Sequence, residues 1–252
     1  MQSKKFGLLM ILVFMAVICL ITSLYQSADL SASVSNEYGL FITLLTDSAG
    51  HKGFLITLVI LGLLFLKLPF TRAQFFSKGL QLGVILLIGF TSKAALKELT
   101  ESPRPYTEWL AQQALIESAE GFYDLNSVER DGVIIVASES VSSWRTQHWK
   151  GEKDYSFPSG HTIFVAICIV FFGGLFAQYR QWLPLSILML WASGVAYSRL
   201  WIGMHRPEDL FASIAFVAAV YLLVPPFNHL GDKLAQQWPN SWPFKLLPDR
   251  AK

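Results

Sequence analysis

The sequence predicts an all-α membrane protein in which six transmembrane helices carry a small extracytoplasmic cap between the third and the fourth. Of the 252 residues, 53% are hydrophobic and only 15% are charged, which is too apolar for the surface of a soluble domain. The apolar residues are also gathered in six long runs separated by short polar stretches. A membrane β-barrel would instead show short segments of alternating polarity, so a helical bundle is expected.

Most of these runs have close to the ~20 residues that an α-helix needs to cross a bilayer. The fourth run is shorter, but it reaches the required length when it begins at Ser159. Without internal repeats, residues 1–252 are predicted to form a single membrane domain. The predicted spans are residues 6–25, 53–70, 80–96, 163–177, 183–202 and 210–227.

Basic residues in the short loops predict the orientation, because cytoplasmic loops are enriched in lysine and arginine. With six spans, the basic residues named below all fall on one side of the membrane, which is therefore predicted to be the cytoplasm. Both termini lie on that side, and residues 26–52 form an external loop. Lys4 and Lys5 would also suit a cleavable signal peptide, but no small-x-small site follows the long apolar run, which favours a retained helix. The basic residues are Lys4, Lys5, Lys67, Arg72, Lys78, Arg180, Lys233, Lys245, Arg250 and Lys252.

Residues 98–157 form the one long polar region, which exceeds the length of a simple connector and is expected to fold as the cap. Pro103 and Pro105 end the third helix, and residues 133–137 resemble a short β-strand. The tail, residues 228–252, contains three prolines and is predicted to be extended and partly disordered. Three tryptophans are expected at the membrane interface: Trp109, Trp144 and Trp149.

The charge balance argues against a nucleic-acid partner. A net charge of +2 is divided between loops on opposite sides, so it makes no basic stripe. Cys19 and Cys168 fall within predicted spans and indicate no disulfide framework. The expected partners are therefore the bilayer and its lipids, and the sequence indicates no obligate protein partner.

Three polar clusters lie at the outer ends of the predicted spans. The spans follow from hydropathy and charge alone, yet they bring all three clusters to one membrane face. We therefore expect them to form one site. The clusters are Lys97, Arg104 and Pro105 at span three, residues 158–161 at span four, and Ser198, Arg199, His205 and Asp209 at spans five and six.

Lys97, Arg104 and Arg199 supply three cations, which are costly beside lipid unless an anion or a water-filled cavity compensates them. A guanidinium group can donate two parallel hydrogen bonds to two phosphate oxygens, and an ammonium group adds a point charge. Each cation alone could be an interfacial residue that extends toward headgroups, but their convergence favours an anionic ligand. Lys93 shares the helix face of Lys97 and can be such an interfacial neighbour.

In the second cluster, Ser159 suits the N-cap of span four, which would direct the backbone amides of Gly160 and His161 toward the same ligand. In the third, Pro207 suits the first position of a helix, so Asp209 can reach back to His205. The carboxylate would fix the imidazole tautomer and leave the other nitrogen free to attack. A capped loop and an ordinary Asp cap remain alternatives for these clusters taken singly.

Together, these residues resemble the three-part signature of the type 2 phosphatidic acid phosphatase superfamily. The resemblance extends from about Lys93 to Ala212. In the first part, six residues separate Lys97 from Arg104-Pro105, and the second part is Pro158-Ser159-Gly160-His161. In the third part, five residues separate Ser198-Arg199 from His205, and three separate His205 from Asp209. Similarity to the bacterial phosphatidylglycerophosphatase B branch comes from Phe122-Tyr123, Glu129-Arg130, His148-Trp149 and residues 191–194.

The resemblance implies a phosphomonoesterase that needs no metal or cofactor and lies in the bacterial inner membrane with its active site on the periplasmic face. His205 would form a phosphohistidine, Asp209 would orient His205, and His161 would protonate the leaving alkoxide and then activate water. The phosphate would be held by Lys97, Arg104, Ser159, Gly160 and Arg199.

The implied substrates are phosphatidylglycerol phosphate, phosphatidic acid, diacylglycerol pyrophosphate and undecaprenyl pyrophosphate, the last of which is an alternative main substrate. Vanadium-dependent haloperoxidases have a vanadate pocket with a similar motif, but six spans argue against that typically soluble class. A third alternative is a transporter or scaffold that binds lipid phosphate without cleaving it.

Overall fold

The computed structural model describes residues 2–25 and 28–237, and every regular element in these residues is helical. This confirms the predicted all-α class. A π-helical turn, Ile169–Gly173, joins α8 to α9, and a 3-10 turn covers Gly121–Tyr123. The helices are α1 (Gln2–Leu24), α2 (Asn36–Ala49), α3 (Phe54–Leu66), α4 (Arg72–Thr100), α5 (Pro105–Gln112), α6 (Ser127–Ala137), α7 (Ser143–Thr146), α8 (Gly160–Cys168), α9 (Gly174–Gln178), α10 (Trp182–Trp201), α11 (Pro207–Leu223) and α12 (Asn228–Gln237).

Each predicted apolar run coincides with helical structure, and the chain has the helices of a polytopic membrane protein. Four helical stretches in the described residues are long and apolar enough to cross a membrane alone, namely α1, the stretch that begins with α4, the continuous α8–α9 stretch, and α10. Two bent pairs qualify only as pairs: α2 with α3, bent by 71°, and α11 with α12, bent by 68°. The number of spans is thus four, or up to six if each bent pair is one span.

The predicted second span and the loop before it need correction. The helical part of that span, α3, has 13 residues and is about 20 Å long, short of the ~30 Å of a hydrocarbon core. The preceding segment, predicted as a loop, contains α2, which buries Ile42, Thr46 and Ala49 at helical spacing. The sequence hides this period because the outer face of α2 is also apolar, with Phe41 and Leu44 exposed.

α8 and α9 form the centre of the bundle, since 89% of their apolar stretch is buried. α1, α4, α10 and α11 pack around them. α1 crosses α9 so closely that a Cβ atom on Gly174 would lie 2.6 Å from the Cα atom of Gly7. Such contacts between small residues let membrane helices approach without an intervening side chain.

Residues 98–157 contain α5, α6 and α7 and enclose a second hydrophobic cluster beside the site end of the bundle. Two expectations for this segment are wrong. Residues 133–137 belong to α6, because the side chain of Asn126 accepts hydrogen bonds from the amides of Val128 and Glu129 and starts a helix there. Trp149 is fully buried, with its ring 4.8 Å from that of Tyr106, so it does not lie at a membrane surface.

The first part of the tail is also helical, contrary to the extended chain predicted after residue 227. α12 packs along α4, and the Ser77 hydroxyl donates to Asn228 Oδ1 at 3.1 Å. A Cβ atom on Gly231 would lie 2.4 Å from the carbonyl oxygen of Ala73, so a residue without a side chain permits this close contact. Residues 238–252, which contain the tail prolines, lie outside the described residues.

Candidate active site

All eight residues predicted for the site lie at one end of the bundle. His205 is within electrostatic range of Lys97, Arg104 and Arg199, and His161 is within range of Arg199 and His205. Lys97 lies in the last turn of α4, Arg104 is the N-cap of α5, Ser159 is the N-cap of α8, Gly160 and His161 begin α8, Arg199 lies in the last turn of α10, His205 follows α10, and Asp209 lies in the first turn of α11.

His205 and Asp209 form a buried pair. The Nδ1 atom of His205 is 3.2 Å from Asp209 Oδ2, and the two residues are 4% and 1% exposed. The same Oδ2 atom accepts a hydrogen bond from the backbone amide of Arg206 at 2.9 Å, and Pro207 occupies the first position of α11. Helix capping and contact with the histidine, which the sequence presented as alternatives, are therefore made by one carboxylate.

Ser156 is a third member of this cluster that the sequence analysis did not identify. Its fully buried hydroxyl donates to Asp209 Oδ2 and lies 3.4 Å from the Nδ1 atom of His205. Asp209 and Ser156 thus both contact the Nδ1 side of the His205 ring, and Nε2 is the ring nitrogen that is not bonded to Asp209. The only local sign of this role was its position two residues before Pro158.

The surroundings of His205 favour its neutral form. Burial is the main cause that lowers the pKa of His205, and the positive charges of Arg104 and Arg199 lower it further. An imidazole with a lowered pKa is unprotonated on one nitrogen at neutral pH. This is the form that can act as a nucleophile.

A buried hydroxyl links the second and third clusters. The backbone amide of Ser159 donates to Ser213 Oγ at 3.0 Å, and the Ser213 hydroxyl lies 2.6 Å from the carbonyl oxygen of Asp209. The side chain of Ser159 accepts from the Thr162 amide at 3.3 Å, which confirms the predicted N-cap. Ser213 therefore positions the first turn of α8 against the first turn of α11.

The three predicted cations are all buried, with Lys97, Arg104 and Arg199 only 5%, 3% and 4% exposed. Lys97 Nζ donates to the carbonyl oxygen of Tyr155. Arg199 donates to Thr46 Oγ1 at 2.7 Å, while its Nε atom is buried without an acceptor among the described residues. An unsatisfied buried donor on a cation is the condition that a bound anion relieves.

Arg104 has the most contacts of the three. Its Nε atom donates to the Asp154 carbonyl oxygen at 2.8 Å and its guanidinium donates to the Met204 carbonyl oxygen at 3.2 Å. Its remaining nitrogen forms an ion pair with Glu152 at 3.3 Å. The negative charge of Glu152 also acts on Lys97 and Arg199, so it partly compensates the positive charge of the site.

A cavity of about 390 Å³ opens at this end of the bundle, with His161 and Arg199 in its wall. Burial, with the charge of Arg199, lowers the pKa of His148 to about 4, so His148 adds no charge to the cavity at neutral pH. Much of the wall comes from the α2–α3 corner and from residues after α7, which carried no recognisable motif. The lining residues are Asp47, Gly50, His51, Lys52, Gln147, His148, Lys150, Gly151, Glu152, His161, Arg199 and Met204.

Lys93, whose role the sequence left open, lies beside Gly160. A Cβ atom on Gly160 would be 2.7 Å from Lys93 Cδ, so glycine leaves room for the lysine side chain. Lys93 also lines a second cavity of about 290 Å³ with His161, Phe54 and Phe90. This cavity adjoins the first one, since Gly50, His51 and His161 line both.

Residues 78–229 match the family described as the PAP2 superfamily. A protein of Escherichia coli K12 named phosphatidylglycerophosphatase B is 36% identical over 132 residues, which are 51% of this chain and 52% of that protein. A Haemophilus influenzae protein of the same name is 30% identical over 198 residues, covering 75% and 80%. A Rhizobium etli protein named lipid A 1-phosphatase is 31% identical over 99 residues, covering 38% and 40%. The chain spans about half the length of the Escherichia coli relative that it matches.

Proposed function

Because the chain belongs to the PAP2 superfamily, we propose that it is a membrane lipid phosphatase that hydrolyses lipid phosphomonoesters through a phosphohistidine. The observation that carries the proposal is the buried His205–Asp209 pair, with Nδ1 engaged, near three buried cations, one of which forms an ion pair with Glu152. A neutral nucleophile and a cationic anion site close to it are the two requirements of this chemistry.

In the first step, Nε2 of His205 attacks phosphorus, and the bond from phosphorus to the lipid oxygen breaks. His161 protonates that oxygen, so a lipid phosphomonoester leaves as an alcohol; a lipid pyrophosphate, attacked at its terminal phosphorus, leaves as the lipid monophosphate. Asp209 accepts a hydrogen bond from the Nδ1–H group and stabilises the positive charge that develops on the ring, while Ser156 holds the carboxylate in place. The product of this step is a phosphohistidine at His205.

In the second step, His161 removes a proton from a water molecule, which attacks phosphorus and releases inorganic phosphate from Nε2. Throughout, Lys97, Arg104 and Arg199 stabilise the charge on the phosphate oxygens, which the Ser159 hydroxyl and the Gly160 amide at the start of α8 would also face. Because the protein side chains supply this positive charge, we propose that neither a metal nor another cofactor is required.

The proposed topology has six spans, with each bent helix pair crossing as one span, and residues 98–157 as an extracytoplasmic cap on a single domain of residues 1–252. Both termini would lie in the cytoplasm and the active site would face the periplasm of a bacterial inner membrane. Support comes from Lys4, Lys67 and Lys78, which lie at the end of the bundle away from the site. No protein partner is needed in this scheme.

We propose phosphatidylglycerol phosphate as the main substrate, with phosphatidic acid, diacylglycerol pyrophosphate and undecaprenyl pyrophosphate as others. Support comes from the relatives named phosphatidylglycerophosphatase B, and a main role on undecaprenyl pyrophosphate is the alternative. All four join an apolar tail to a phosphate at headgroup depth. The cavity that contains Lys93, Phe54 and Phe90 has the mixed polar and apolar walls that such a junction requires.

The test is phosphate release by the purified protein in detergent micelles containing EDTA, with these four lipids and glycerol 3-phosphate as the tail-free control. We expect release from the lipids and at least ~10-fold slower release from glycerol 3-phosphate, because the tail contributes binding energy. A requirement for added divalent metal would contradict the mechanism. Halide oxidation with added vanadate, in place of phosphate release, would indicate a haloperoxidase.

Replacing Glu152 with glutamine is expected to tighten binding of inorganic phosphate and vanadate. The carboxylate pairs with Arg104 and competes with the anion for it, so its removal should lower both inhibition constants by roughly fivefold. The Michaelis constant for a lipid phosphate should fall as well. Steady-state kinetics with each inhibitor measures these changes.

Glu139→Gln is the matched control, because Glu139 is an exposed carboxylate in residues 98–157 that does not line the cavity. It removes the same charge and should leave the inhibition constants within about twofold of the wild-type values. Equal inhibition constants in Glu152→Gln and the wild type would show that the Arg104–Glu152 pair does not oppose phosphate binding.

A further inference from the structure

The corner between α2 and α3, residues 46–53, is a part of the site to which the family resemblance assigns no role. It lies before residues 78–229, which match the family. Two side chains of α10 hold it in place: Arg199 donates to Thr46 Oγ1 at 2.7 Å, and Trp191 Nε1 donates to Ser48 Oγ at 2.8 Å. The corner is therefore fixed against α10, in the wall of the 390 Å³ cavity.

Gly50 brings this corner into contact with His161. A Cβ atom on Gly50 would lie 2.9 Å from His161 Nε2, so no side chain separates the corner from that nitrogen. In the proposed mechanism the oxygen of the leaving group lies within hydrogen-bond distance of a His161 nitrogen, and Nε2 is the one beside the corner. The headgroup attached to that oxygen is therefore expected to lie along the corner.

An ion pair lies on the same wall. Lys52 Nζ is 2.9 Å from Asp47 Oδ2, and both residues line the cavity. Lys52 follows Gly50 by two residues, so their Cα atoms are at most about 7 Å apart. An ammonium group has three donors and Asp47 uses one, which leaves two that a ligand can use, since the lysine side chain is 60% exposed. Asp47 therefore holds a cation beside the expected path of the leaving group.

Two of the proposed substrates differ in what they place beside this cation. The leaving group of phosphatidylglycerol phosphate is phosphatidylglycerol, in which three carbons of glycerol separate the leaving oxygen from a phosphodiester. The leaving group of phosphatidic acid is diacylglycerol, which has no phosphate. A lysine binds phosphate oxygens as a point charge, so it can distinguish the two lipids.

We propose that Lys52, held by Asp47, binds the phosphodiester of the leaving headgroup and so favours lipids that carry a second phosphate three carbons from the scissile one. Lys52 is then a specificity-determining residue and not a catalytic one. This inference rests on the proposed phosphatase function, because it takes the position of the leaving group from the role of His161.

The test is phosphate release from the two lipids at equal surface concentration in detergent micelles. Lys52→Gln should lower kcat/KM for phosphatidylglycerol phosphate by roughly fivefold, as expected for the loss of one partly exposed, charge-assisted hydrogen bond. For phosphatidic acid, kcat/KM should stay within about twofold of the wild-type value. Lys52→Arg keeps the charge and should retain the preference.

A third lipid separates the phosphodiester from the glycerol hydroxyl. The phosphate monoester of phosphatidylpropanediol has the phosphodiester and the three-carbon spacing but lacks the hydroxyl. Its kcat/KM should fall in Lys52→Gln as much as that of phosphatidylglycerol phosphate. An unchanged value would show that Lys52 does not bind the phosphodiester.

Lys153→Gln is the matched control, because Lys153 is an exposed lysine in residues 98–157 that lines neither cavity of the site. It should change kcat/KM for each lipid by less than about twofold. Equal losses for the two lipids in Lys52→Gln would overturn the proposal. So would a selective loss in Lys150→Gln in place of Lys52→Gln, since Lys150 also lines the cavity.

A binding measurement separates this proposal from the phosphatase proposal. In the His205→Ala background, which lacks the nucleophile, Lys52→Gln should raise the dissociation constant of phosphatidylglycerol phosphate by roughly fivefold and leave that of phosphatidic acid unchanged. Absence of phosphate release from both lipids in the wild type would overturn the phosphatase proposal. A dissociation constant of phosphatidylglycerol phosphate that Lys52→Gln leaves unchanged would overturn the role of Lys52.

Discussion

His205→Ala is expected to reduce phosphate release from lipid phosphates by roughly 10⁴-fold or more, because it removes the atom that bonds to phosphorus. The cations that we propose hold the phosphate stay in place, so the variant should still bind vanadate. Release of inorganic phosphate from phosphatidylglycerol phosphate measures the rate, and vanadate-dependent stabilisation against heat confirms that the site is folded. Loss of activity with retained anion binding would distinguish a missing nucleophile from a collapsed site.

His229→Ala provides the control, because His229 is an exposed histidine on α12, at the other end of the bundle. Its activity should match the wild type within about twofold, as expected for a surface substitution away from the site. Phosphate release that persists in His205→Ala would remove the covalent mechanism. Absence of release in the wild type, with lipid phosphate bound, would favour the transporter or scaffold alternative.

His161→Ala is expected to slow release from alkyl lipid phosphates by about 10³-fold, the usual range for loss of a general acid and base. In the first step the variant lacks the acid that protonates the leaving group, and in the second it lacks the base that activates water. An aryl phosphate, whose phenolate leaves without protonation, bypasses the need for an acid in the first step but not the need for a base in the second. The variant should therefore give a burst of phenolate equal to the enzyme concentration, followed by slow turnover.

During that slow phase the phosphohistidine should accumulate, and it can be trapped as an acid-labile, alkali-stable phosphoprotein. The double variant His161→Ala with His205→Ala should give neither burst nor label, which assigns both to His205. Equal slowing of aryl and alkyl substrates without a burst would show that His161 does not protonate the leaving group. His161 would then have a binding role in the wall of the cavity that it lines.

The part of the site that the sequence analysis identified depends on spacing along the chain. His205 and Asp209 are four residues apart across a helix start, so Pro207 and the rules of helix capping place them together before any tertiary structure is known. The same holds for Ser159, whose position before Gly160 predicts a cap. The spans predicted from hydropathy then place such clusters at one membrane face, because the end of one span and the start of the next lie on the same side of the membrane.

The missed residues reach the site through packing between distant segments. Thr46 contacts Arg199 across 153 positions, and Ser213 contacts Ser159 across 54. No local pattern marks such pairs, since threonine and serine within a helix are ordinary in sequence. Glu152 was missed for the same reason, because its partner Arg104 lies beyond several turns of residues 98–157.

The form of the helices was less predictable than their existence. α2 was missed because both of its faces are apolar, one turned to the bundle and one exposed, which removes the periodic signal. α8 also lacks an apolar period, but here the cause is complete burial, since every residue from Thr162 to Cys168 is buried.

The enclosed position of α8 has a consequence for how the protein is made. Two of the helices that pack against it, α2 and α4, precede it in the chain, and two, α10 and α11, follow it. When α8 leaves the ribosome, half of its final environment has not been synthesised, so it waits in contact with lipid or an insertion factor. A nascent chain that stops before α11 lacks Asp209 and the Ser213 link, and therefore holds the residues that we propose bind phosphate without the carboxylate that orients His205.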